Sequence, residues 1–129
     1  MDLQSILADK KNVYYLNGVS EEQILQAEQT LGLVFATDYK NYLKQYALLS
    51  YNAHELTGIC QSQRLNVVSS TLRERTDNEN ISDDMYLLES IGVENLTIWQ
   101  NANGEIFEVE FKKMPHKIYN SLLEYIDKT

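Results

Sequence analysis

Apolar positions recur at helical spacing through the first third of the chain. Leu3, Ile6 and Leu7 predict a short opening helix. Ile24, Ala27 and Leu31 share one face of a second, whose start is marked by Ser20 with Gln23 as a capping box. Val19 stands opposite Ile24 as the hydrophobic staple of that start, and Gly32 supplies the left-handed residue that ends the helix. After the apolar connector 33–35, Thr37 is expected to cap a third helix with Tyr39, Tyr42, Leu43 and Tyr46 on its inner face. Those three tyrosines are expected in the core.

Beyond residue 50 the period shortens. Residues 51–59 read as one or two short strands interrupted near Gly58, Asn66 caps a helix over 67–75, and residues 85–90 read as a strand. The β signal is clearest in residues 95–100 and 105–111, which flank the hairpin loop Asn101-Ala102-Asn103-Gly104. With Gln100 facing Glu105, Ile98 opposes Phe107 and Leu96 opposes Val109 on one face, while Trp99 with Ile106 and Thr97 with Glu108 occupy the other. A closing helix starts either near Pro115 or, the preferred reading, at Ser121, where Ser121 and Glu124 form a second capping box. Helices first, then an antiparallel meander, then a helix predict an α+β fold: N-terminal helices, a central antiparallel sheet with a hairpin, and a C-terminal helix. No repeat or linker divides the chain, so one domain over 1–129 is expected.

Composition and charge narrow the partner classes. The chain is 43% apolar, enough for a core, yet no apolar run approaches the roughly 20 residues that cross a bilayer. Asp2 sits where a secretory leader would carry positive charge, and the lone Cys60 forms no internal disulfide; both point to a cytoplasmic protein. The formal net charge of −8 disfavours direct binding to nucleic acid or an anionic membrane and suits a basic protein partner.

Candidate chemistry is sparse. His54 and Cys60 would lie about 20 Å apart in an extended segment, so a Cys–His nucleophile needs a tight reversal at Gly58. Cys60 reads instead as a small apolar residue and His54 as an ordinary polar one. One cysteine and two histidines give zinc too few ligands, and Asp77, Glu79, Asp83 and Asp84 lack the spacing and glycine of a calcium loop. No glycine-rich phosphate cradle occurs. Glu89, Glu108 and Glu110 are strand acids expected on the solvent face rather than paired in a cleft. No catalytic, cofactor-binding or metal set emerges, and the expectation is a binding protein, not an enzyme.

The nine tyrosines and the lone Trp99 shift attention to surface. Tyr14, Tyr15, Tyr51 and Trp99 are the aromatics least demanded by a core, and Tyr and Trp are favoured interface anchors. The expected partner site is an open hairpin face presenting Trp99, Thr97, Ile106, Glu108 and Glu110, because the helices are too few to cover both sides of the sheet. The alternative location is residues 51–55 together with the acidic loop 77–84.

Several segments resemble one family. Glu28-Gln29-Thr30-Leu31-Gly32 leads through Leu33-Val34-Phe35-Ala36-Thr37-Asp38-Tyr39 to Tyr42-Leu43; His54-Glu55-Leu56-Thr57-Gly58-Ile59 follows; Ser121-Leu122-Leu123-Glu124-Tyr125-Ile126 closes. This succession resembles the SUKH superfamily, related to the yeast Smi/Knr cell-wall regulators, although Ala36 stands where that family's connector carries proline and Leu122 where its last helix carries phenylalanine. The resemblance implies a SUKH-like fold without catalytic residues. It also implies the immunity role of many bacterial members, antitoxins that bind a cognate toxin directly, the toxin often being a nuclease. The family's eukaryotic members imply the alternative, an intracellular scaffold or regulatory module binding a protein or peptide ligand. Neither reading sets the oligomeric state.

Overall fold

The computed structural model describes residues 2–92 and 95–129. Helix α1 (Leu3–Leu7) opens the chain, capped by the Asp2 carboxylate, which accepts from the Ser5 N–H at 2.8 Å. Strand β1 (Tyr14–Asn17) precedes α2 (Glu21–Leu31), which has the expected capping box at Ser20 and Gln23 and ends at Gly32 with φ 68°. Then come α3 (Thr37–Gln45), β2 (Tyr46–Tyr51), β3 (His54–Leu56) and α4 (Val67–Asp77). A second run of strands, β4 (Tyr86–Ile91), β5 (Leu96–Gln100), β6 (Ile106–Val109) and β7 (His116–Tyr119), is closed by α5 (Leu122–Lys128), which starts at Ser121 as expected. The fold is α+β. Its antiparallel strands divide into two sheets, β1-β2-β3 and β4-β5-β6-β7, rather than one.

Two details of α3 depart from expectation. Ala36, not Thr37, is its N-cap, and no side chain caps it. The entering backbone is satisfied from elsewhere: the Phe35 N–H donates to Glu28 at 2.8 Å and the Ala36 N–H to the Tyr86 hydroxyl at 2.9 Å. At the other end the helix passes directly into β2, so Tyr46 is the first strand residue rather than a last helical one. It is buried all the same, as are Tyr39 and Tyr42.

The hairpin β5–β6 has a register one residue away from the expected one. Ile98 faces Glu108, Trp99 faces Phe107, Gln100 faces Ile106 and Thr97 faces Val109. The cause is the loop. Glu105 belongs to it, making five residues, because the Asn101 carboxamide accepts from the N–H groups of both Asn103 and Glu105 at 3.1 Å. Gly104 takes φ 88°, and its carbonyl accepts from the Gln100 side chain at 3.1 Å. An odd number of residues between paired strands flips every side chain relative to a four-residue loop.

Both faces of this sheet carry buried side chains. Ile98 and Ile106 join Tyr86, Leu88, Tyr39, Tyr42, Leu122 and Tyr125 in the principal core. Trp99 and Val109 join Leu87, Ile81 and Met85 in a second, smaller core, with Phe107 packed against it. Helix α4 and the segment behind it close this second side. The Thr71 hydroxyl accepts from the Leu87 N–H at 2.9 Å, and Arg75 donates to the carbonyls of Asp83 and Met85 at 2.7 and 2.9 Å. The expected open face is therefore covered.

Candidate partner-binding face

The residues expected to meet a partner separate by burial. Ile106 is wholly inside the principal core, and Trp99, at 1% exposure, lies in the second one. Thr97 is buried beside it, where its hydroxyl accepts from the indole N–H at 2.8 Å and donates to the Val109 carbonyl at 3.3 Å. Glu108 is half-buried and Glu110 exposed. The geometry corrects the expected flat aromatic face.

A cleft takes its place, of about 70 Å³, opening where β5 and β6 pass the end of α4. Trp99, Thr97, Val109 and Ile81 line its inner part; Glu74, Asp77, Glu110 and Phe111 stand around it. Asp77 comes from the acidic loop of the alternative site, so that loop meets the first expected site here, whereas residues 51–55 do not line the cleft. The lips are tied together by backbone contacts: the Asn78 and Asn80 side chains donate to the carbonyls of Lys113 and Lys112 at 3.4 and 3.1 Å. A shallower hollow of about 210 Å³ adjoins it, lined by Glu108, Glu110, Lys113, Met114 and His116. Phe111 is 48% exposed and Met114 70%, so two large apolar side chains stand among the carboxylates.

Basic neighbours offset part of the acidic charge. The Lys113 ammonium lies 2.7 Å from Glu110 and holds that carboxyl below the usual carboxylate range; Glu110 holds Lys113 above the usual lysine range. No salt bridge is found for Asp77 among the described residues, and Glu74 meets only Arg73, at 3.6 Å. An acid-rimmed cleft with an apolar floor suits a cationic side chain with an aliphatic stem.

Sequence reasoning missed a second constellation. Glu89 was expected on the solvent face, yet it is 3% exposed. Both of its oxygens lie 3.0 Å from His54 Nδ1, and it accepts from the Glu55 N–H at 3.0 Å and the Tyr125 hydroxyl at 2.5 Å. Tyr51 stacks on His54, and its own hydroxyl meets Thr129 Oγ1 at 2.6 Å. Burial pushes the Tyr125 phenol up, and the Glu89 charge adds to the shift; burial also raises Tyr51. With three donors on one carboxylate, the cluster braces β3, β4 and α5. His54 is thus a structural partner rather than an ordinary polar side chain. The available signal was a glutamate inside the apolar strand Tyr86-Leu87-Leu88-Glu89-Ser90-Ile91.

Cys60 lies apart from this cluster, its sulfur 3.8 Å from the Ser62 carbonyl. Among the described residues no group of three His, Cys, Asp or Glu side chains is placed to hold a metal ion, and no helix is long and apolar enough to cross a membrane.

No curated protein matches the chain. The family model SUKH_5, described as SMI1-KNR4 cell-wall, matches residues 3–129. That match takes in both sheets, the cleft and the Glu89 brace, and the chain belongs to the SUKH family.

Proposed function

We propose that this chain is a bacterial immunity protein that neutralises a cognate toxin, a basic nuclease domain, by direct stoichiometric binding in the cytoplasm. The observation that carries the reading is the acid-rimmed cleft beside the exposed Phe111 and Met114. Membership of the SUKH family and the net charge of −8 support it. A lysine or arginine of the toxin enters the cleft, its methylenes against Ile81 and Val109 and its head group among Glu74, Asp77 and Glu110. Phe111 and Met114 supply the apolar contact beside it, and Glu108 lines the adjoining hollow. Of the residues first expected at the interface, Trp99 and Thr97 then act as the floor that shapes the cleft, while Ile106 contributes through the fold. Inhibition of this kind needs occupancy of the toxin's surface and no chemistry from the inhibitor.

The test is co-expression with the toxin encoded beside this chain, followed by binding of the purified pair. Restored growth and a one-to-one complex support the reading. A folded chain that neither protects nor binds would overturn it and leave the scaffold reading.

A further inference from the structure

Strand β1 lies at the edge of the three-stranded sheet, paired with β2 on one side only. All four of its residues are exposed, with Tyr14 at 57% and Tyr15 at 50%. Val13 and Leu16 extend the exposed apolar run. Edges of this kind are ordinarily blunted by charge or proline within the strand, because unpaired backbone groups there invite another strand. Here residues 12–20 carry neither. Among the described residues, such a device is an irregularity between Leu16 and Asn17, at the strand's end.

The strand is also held in place before any partner arrives. At its start Lys11 and Asn52 exchange bonds: the Lys11 N–H donates to the Asn52 side chain at 2.7 Å, and the Asn52 N–H donates to the Lys11 carbonyl at 2.8 Å. Just past its end the Val19 N–H donates to the Leu43 carbonyl at 3.0 Å. Gly18 there packs so closely that a Cβ would sit 1.9 Å from the Lys44 carbonyl oxygen. A preformed edge pays little ordering entropy on pairing.

Charge selects the occupant. The uncharged run is bounded by Lys11 on one side and Glu22 on the other; their neighbours are already engaged, Lys10 donating to the Asp127 carbonyl at 2.9 Å and Glu21 lying 3.0 Å from Lys44. An antiparallel copy of the same strand brings the lysine end of each chain to the glutamate end of the other, whereas a parallel copy would set like charges together. We propose that β1 pairs antiparallel with β1 of a second copy of this chain, forming a two-fold dimer with a continuous six-stranded sheet. Such an interface is isologous and closes on itself, so it stops at two copies. Tyr14 and Leu16 of each chain, which stand on the sheet face with Ser50 and Leu48, pack across the axis.

Sedimentation velocity of the full chain over a wide concentration range tests this. The expected result is a reversible shift from 15.0 kDa to twice that mass, accompanied by concentration-dependent protection of the β1 amides in hydrogen exchange. Tyr14→Lys with Leu16→Lys should remain monomeric throughout with an unchanged circular dichroism spectrum, since both side chains are exposed. Lys11→Glu should weaken the dimer at least tenfold, and adding Glu22→Lys should restore it. A wild-type chain that stays monomeric at every concentration overturns the proposal, as does a dimer indifferent to the lysine pair. Loss of toxin binding in a lysine-pair variant whose parent is monomeric would assign the edge to a toxin strand and likewise overturn self-pairing. Because the cleft lies on the other sheet, toxin neutralisation by the monomeric variant is expected to persist.

Discussion

Tyr125 on the closing helix donates its hydroxyl to Glu89 on β4, at 2.5 Å, and this bond joins two elements 36 residues apart in sequence. The same carboxylate holds His54 and the Glu55 backbone, so three parts of the fold converge on one side chain. Removing it strands the buried Tyr125 hydroxyl and two part-buried donors, whereas removing the phenol leaves the carboxylate with two. Glu89→Ala should cost about 3–5 kcal/mol and Tyr125→Phe about 1–3 kcal/mol. Urea unfolding of the two variants checks the order; equal losses would mean the brace is not shared.

Stability should fall steeply in alkali. Burial raises the phenols of Tyr39, Tyr42, Tyr51, Tyr86 and Tyr125 above their ordinary value near 10. In the unfolded chain these groups lose their protons above about pH 10, while the folded state keeps them. The folded state therefore holds its full stability below that pH and loses it as pH rises, by about 1.4 kcal/mol per pH unit for each phenol. Tyrosinate absorbance and far-ultraviolet circular dichroism should change together, in one cooperative step above pH 10. A gradual titration with the fold intact would contradict the burial.

The turn between β2 and β3 holds Asn52 and Ala53 at φ 46° and 67°. Asparagine tolerates that region and its side chain is anchored there, but alanine is strained by its Cβ. Ala53→Gly should raise stability by about 0.5–1 kcal/mol, relief of strain outweighing the added freedom of the unfolded chain. Thermal unfolding would register it as a higher midpoint.

On the partner side, Glu74→Lys with Glu110→Lys should slow association with a basic toxin and flatten its salt dependence, leaving the fold unchanged. Phe111→Ala should act mainly on dissociation, weakening binding by about 1–2 kcal/mol or more. Surface plasmon resonance at low and high salt separates the two effects, and indifference to both would move the interface off the cleft.

How much could be read in advance depended on range. Ser20, Gln23, Gly32, Asn66 and Ser121 announced helix ends correctly because capping chemistry is local to a few residues. The hairpin was visible too, but its register turned on whether Glu105 belonged to loop or strand, which the Asn101 side chain decides. Trp99 lies in a covered core for a different reason, because Ile81 and Met85 pack over its side of the sheet, so Trp99→Ala becomes a cavity substitution costing about 3–5 kcal/mol, measurable by urea unfolding. The cleft escaped notice because α4 and β6 meet only in three dimensions, although Thr97, Trp99, Glu110 and Asp77 had each been singled out. Strands β1 and β7 are short and lack clean alternation, which left no signal to find.

The chain's one tryptophan sits in the smaller core, on the opposite side of the four-stranded sheet from most of the tyrosines. Its emission is thus a built-in local thermometer for that side alone. Peptide ellipticity reports the whole molecule. If the α4 side loosens first, fluorescence will move while ellipticity holds, and an observer using only one of the two signals would assign the wrong melting point to the protein.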